Sequence, residues 1–129
     1  MFGRRKCGQL LELDKRRCAC SISGQAPLGV RTIPIASIVG TIGRCCDFDR
    51  CFNAVRPHLA RAVTAVRRAF PDGAVPPIDV VKLGDEYFVS DGHKRVAAAR
   101  AVGTDYVDAD VTEVFLRRNL AQGRPCWRR

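Results

Sequence analysis

A chain of 129 residues, 47% of them hydrophobic, is sized for one domain with a real core and has too much apolar content for a disordered segment. Its formal net charge of +9 raises the question of an anionic partner. No apolar run approaches the roughly 18–20 residues that a membrane-spanning helix needs, which excludes a helical membrane protein. Leu10-Leu11-Glu12-Leu13-Asp14 is too short and too charged for a signal-peptide core, so the expected location is the cytoplasm.

The charge is unevenly placed. Residues 1–31 carry seven basic and two acidic side chains, and residues 115–129 carry five basic and none acidic. Residues 32–114 hold ten basic against eleven acidic, so the central part of the chain is nearly neutral. Any general affinity for nucleic acid is therefore expected to come from the basic ends, as a salt-sensitive attraction without sequence information. The seven cysteines do not follow zinc-knuckle spacing, since Cys18-Ala19-Cys20 and Cys45-Cys46 lack the usual gap of two to four residues. An odd count in a cytoplasmic chain points to free thiols, with Arg44 and Arg50 placed to favour a thiolate at Cys45, Cys46 or Cys51.

Taken in chain order, residues 1–29 read as a basic lead-in, partly disordered. Leu10, Leu11 and Leu13 suggest a short helix, and Ser23 to Gly29 a loop by composition. Val30 to Ile38 alternates as a strand broken at Pro34, which suits a sheet edge. Val39 to Asp49, with Gly40, Gly43, Arg44, Asp47 and Asp49, reads as a loop; no Gly-Lys-Ser/Thr ending follows, so it is not a P-loop. Leu59, Val63, Val66 and Phe70 recur at helical spacing behind Pro57 and form one apolar stripe, while Arg61 and Arg68 point away from it. His58 is expected on the surface of that helix. Ile78–Lys82 and Tyr87–Ser90 form a hairpin about Leu83-Gly84-Asp85-Glu86, whose two carboxylates are expected to be solvated.

Ser90-Asp91-Gly92 then turns the chain into an alanine-rich helix stopped by Gly103. Ser90 or Asp91 is expected to cap it. His93, Lys94 and Arg95 fall in its first turn, where each cation opposes the helix dipole by about 0.3–1 kcal/mol at an exposed site. A bound phosphate at the free backbone N–H groups would account for three basic residues there; a solvated surface turn is the plain alternative. Tyr106 to Val111 alternates as a strand with a wet face at Asp108 and Asp110, and Glu113 to Asn119 reads as a short helix before a basic tail.

Pro76-Pro77-Ile78-Asp79-Val80-Val81, Gly84 to Val89, Asp91-Gly92-His93-Lys94-Arg95, Ala97-Ala98-Ala99 and Ala101-Val102-Gly103 together resemble the ParB N-terminal/sulfiredoxin-like domain. Ile33 to Ile38 and Val107 to Val111 are similar to that family's first and last strands. The resemblance implies an α+β fold, a small mixed sheet with packed helices in a single domain at residues 30–114, between a basic lead-in at 1–29 and a basic tail at 115–129. It implies nucleotide or phosphate binding by Gly92, His93, Lys94 and Arg95, with Arg44, in the loop after the first strand, as a further phosphate contact. Sulfiredoxins carry their reactive cysteine where this chain has Gly92, so sulfiredoxin activity is not expected.

Three functions compete. The first is a ParB-like module that binds a nucleotide, cytidine triphosphate or ATP/ADP, with or without Mg2+, and touches DNA without sequence preference through its tails; too few residues follow the domain for a helix-turn-helix. The second is a phosphotransferase resembling the ParB-like free-serine kinases. There Asp91 would help activate the serine hydroxyl and act as the catalytic residue, with His93 and Arg95 on phosphates; Lys94 stands where those kinases have a second histidine. Nuclease chemistry would need clustered carboxylates, for which Asp91 with Asp47 or Asp49 is the visible set, and no metal site is assigned. The third is a non-enzymatic interaction module with a vestigial site. A homodimer stays open, and no membrane partner is expected.

Overall fold

The computed structural model of the chain describes residues 10–13, 22–43 and 47–117. β-branched and aromatic residues in Ile78–Leu83 (β4) and Glu86–Asp91 (β5) make an antiparallel hairpin about Gly84, whose φ of 61° permits the two-residue turn. On one side of it Tyr106–Leu116 (β6) runs parallel to β4, and Ile22–Pro34 (β2) closes that edge antiparallel to β6. On the other side Ile38–Thr41 (β3) runs parallel to β5, and the two-residue β1, Leu11–Glu12, parallel to β3. The result is a six-stranded mixed sheet in the order β1-β3-β5-β4-β6-β2.

Among the described residues, two α-helices of more than two turns lie on one face. Pro57–Ala69 (α1) starts with proline in its first turn and buries Leu59 and Val63. His93–Ala101 (α2) buries Val96, Ala97, Ala98 and Ala99; side chains this small let the helix approach the sheet closely. Val63 and the four α2 residues join Ile33, Ile78, Val80, Val89, Ala109 and Val111 in the main core. At roughly 1.5–3 kcal/mol for each buried Val or Ile side chain, this cluster is the chief stabilising term. A second apolar cluster on the sheet's other face centres on Phe88, Leu83, Val39 and Val114. The fold is thus α+β with a mixed sheet, as expected.

Several local expectations are corrected. Leu11–Glu12 pairs as a strand where a helix was expected, whereas Leu13 is helical, and Leu10 and Leu13 are buried beside the strand. Its seat depends on Gly40, where a Cβ would run into the Leu11 carbonyl and the Phe88 ring. Ser23 to Gly29 is strand: β6 supplies a long partner, and bulges at Ile22/Gly24 and Pro27/Gly29 absorb the residues that suggested a loop. β2 is an edge strand, where a proline costs the ladder least, so the edge expectation for Pro34 holds. Val39 to Thr41 is buried strand where a loop was expected. Glu113 to Leu116 continues β6 in place of a helix, with Lys82 Nζ on Glu113 Oε2 at 3.3 Å. The bounds at residues 30 and 114 therefore fall inside β2 and β6.

Candidate functional site

The carboxyl end of β5 delivers the chain into α2 through Gly92, which takes φ 105° and ψ 22° as the N-cap residue. A Cβ there would stand 2.6 Å from Cγ2 of Ile78, so both backbone conformation and packing call for glycine. No side chain caps the helix, contrary to the expected role of Ser90 or Asp91. Ser90 Oγ donates to the Asp79 carbonyl at 3.1 Å, and the Asp91 carboxylate accepts from Arg95 Nη2 at 3.1 Å. Both residues still belong to the strand, so neither lies over the helix's first turn. The first helical bond runs from Val96 N–H to Gly92 O at 3.0 Å. The amides of Lys94 and Arg95 precede that ladder, the arrangement that receives anions at helix N-termini.

A cleft of about 350 Å3 opens at this turn. Its floor and rim are residues 91–95, and its apolar wall is Val66, Phe70 and Pro76. Sequence reasoning assigned Val66 and Phe70 to packing alone. They are the carboxyl end of the α1 stripe, and both are half-buried beside the turn. Lys94 is exposed on the cleft, with no ion pair among the described residues. Arg95 is partly engaged elsewhere: Nη1 donates to the Pro77 carbonyl at 2.8 Å while Nη2 holds Asp91. Asp91 itself is 73% exposed on the rim.

His93 turns inward. It is 4% exposed, its Nε2 lies 2.5 Å from Thr41 Oγ1, and its ring stacks on Phe48 at 6.1 Å and 15°. Thr41 Oγ1 is also 3.4 Å from the Val89 carbonyl. A carbonyl only accepts, so with both contacts made the hydroxyl donates to Val89 O and His93 Nε2–H donates to Oγ1. Sequence reasoning missed Thr41 and Phe48 as partners because they lie on β3 and in the turn after it. That turn, at residues 47–54, is organised by Asp49, whose Oδ1 accepts from the amides of Cys51 and Asn53, both at 2.9 Å. It seats Phe48 and Phe52 in the core. Arg44 lies outside the described residues.

The chain matches no protein-family model and no curated protein. Among the described residues no three His, Cys, Asp or Glu side chains gather to hold a metal ion. None of the helices is long and apolar enough to cross a membrane, again among the described residues. Cys51 is disulfide-bonded, which corrects the expectation of free thiols there; the other six cysteines lie outside the described residues.

Proposed function

We propose that the protein is a nucleotide-binding module of the ParB/sulfiredoxin-like kind, which holds phosphate at residues 92–95. The observation that carries this is the cleft itself. Uncapped amides at the start of α2 and the Lys94 ammonium face the same 350 Å3 space as the apolar wall of Val66, Phe70 and Pro76. A phosphate suits the first pair, and a flat base suits the second. Arg95 adds charge at the phosphate end, although its guanidinium also braces the turn. His93 supports the site from beneath through Thr41, which positions the helix terminus. Mg2+, where it takes part, would arrive with the nucleotide's phosphates.

The test is a thermal-shift titration of the full chain with cytidine and adenine nucleotides, with and without Mg2+. A ligand at a hundredfold excess over Kd raises apparent stability by about 2.7 kcal/mol. A shift that Lys94→Gln weakens, without changing the unliganded melting temperature, supports the reading. Absence of any shift across all nucleotides removes it in favour of a non-enzymatic interaction module. Asp91 on the rim favours one second reading, phosphotransfer, in which its carboxylate would accept a hydroxyl proton. Turnover of ATP with serine that Asp91→Asn abolishes, while nucleotide affinity persists, would single that reading out.

A further inference from the structure

The near-neutral sum over residues 32–114 conceals a separation of charge between the two sides of the sheet. The helices carry Arg61, Arg67 and Arg68 on α1 and Lys94, Arg95 and Arg100 on α2, with no carboxylate on either. Strands β4, β5 and β6 carry six carboxylates against one lysine, Lys82; two of the six stay on the helix side, Asp91 on Arg95 at the cleft and Glu113 on Lys82 in line with Val80 and Val111. Ile78, Val80, Ala109 and Val111 point into the helix-side core. The intervening Asp79, Asp108 and Asp110 are exposed and, by strand alternation, face the other way. Arg61, Arg67 and Arg68 make no ion pair or hydrogen bond among the described residues. Arg61 and Arg68 flank a shallow groove of about 370 Å3 whose other walls are Ala60, Thr64 and Ala65.

We propose that this helix face, rather than the basic ends of the chain, docks on the phosphate backbone of duplex nucleic acid without reading its bases. Two helical turns set Arg61 and Arg68 about 10.5 Å apart along the α1 axis, close to three base-pair rises of a duplex. The short side chains between them let a backbone approach, and each guanidinium matches a phosphate with two parallel N–H donors. The carboxylates on the opposite face turn the protein so that the helices lead at encounter. A membrane surface fits less well. Among the described residues the large exposed apolar ones are Ile22, Val30, Val55, Tyr106 and Phe115, and none lies on either helix to insert among lipids. This inference does not rest on the nucleotide reading, since Arg61 and Arg68 lie outside the cleft at residues 91–95.

The test is fluorescence anisotropy of the full chain with a short labelled duplex DNA across a salt series. Two double variants each remove two positive charges. Arg61→Gln with Arg68→Gln strips the helix face; Arg31→Gln with Arg117→Gln removes the same charge from exposed positions on β2 and just beyond β6. The slope of log affinity against log salt should fall by about 1.8 in the first, since each lost phosphate contact contributes about 0.9. It should stay near wild type in the second, and scrambling the DNA sequence should change neither. Equal loss in both variants overturns the proposal in favour of net charge and tails, as does an unchanged slope in the first or no binding by wild type at low salt. Loss of retention on phosphatidylserine vesicles, with duplex binding intact, would overturn it in favour of a membrane. The nucleotide thermal shift of the helix-face variant should match wild type, which keeps the two readings separable.

Discussion

His93 Nε2 and Thr41 Oγ1 lie 2.5 Å apart, although 52 positions separate the two residues in the chain. Thr41 is fully buried at the end of β3, and His93 opens α2. The pair therefore ties the terminus that carries the cleft to β3, the fourth strand from β2 in the sheet order. Thr41→Val removes the hydroxyl from beside the imidazole in a water-free place. Its expected cost is about 1–3 kcal/mol, read as a lower denaturant midpoint, with most of the loss restored by Thr41→Ser. Equal stability of the valine and serine variants would remove this tie from the account.

Gly92 and Gly103 are both left-handed, with φ of 105° and 88°, yet they should respond differently to alanine. At Gly103, the residue past the end of α2, a Cβ meets nothing within 4 Å. Only the backbone cost of about 1–2 kcal/mol applies there. At Gly92 the same cost adds to the collision with Ile78. Thermal melts should therefore rank Gly92→Ala below Gly103→Ala, and nucleotide response should be lost only at position 92. The reverse ranking would contradict the packing described for the turn.

Arg95 and Lys94 are adjacent cations with separable roles. Removing Arg95 as Arg95→Ala takes a donor from the Pro77 carbonyl and the partner from Asp91, so it should lower the melting temperature as well as phosphate affinity. Exposed Lys94 has no such brace, and Lys94→Gln should lower affinity alone. A melting curve for Arg95→Ala that overlays wild type would mean the brace contributes nothing to the fold.

Gly40 decides whether β1 joins the sheet. Because a Cβ at that position meets the Leu11 carbonyl and the Phe88 ring, Gly40→Ala should push Leu11–Glu12 away from β3. Hydrogen exchange over residues 10–13 should accelerate in the variant while α2 keeps its protection. Unchanged protection over 10–13 would show that the strand tolerates the extra carbon.

Where structure depends on a few neighbouring residues, the sequence was sufficient. The 57–70 stripe, the hairpin about Gly84 and the left-handed turn at Gly92 each follow from side-chain period or φ preference within one short window. The end of α2 does too: Gly103 N–H donates to Arg100 O and Thr104 N–H to Ala99 O, a Schellman closure that needs glycine at that one position. Pairings across the chain were decided only on assembly. Ser23 to Gly29 is a strand because β6 lies alongside, and Glu113 to Leu116 is strand for the reciprocal reason. The residues of the site divide in the same way. Local chemistry placed Gly92, Lys94 and Arg95 together, but the inward turn of His93 required Thr41 and Phe48, and the cleft required the end of α1. Net charge was countable from composition, whereas its division into a basic helix face and an acidic strand face needed the layers. Backbone preference is set within a few bonds, while burial, pairing and the direction of a side chain depend on which distant surfaces exclude water together.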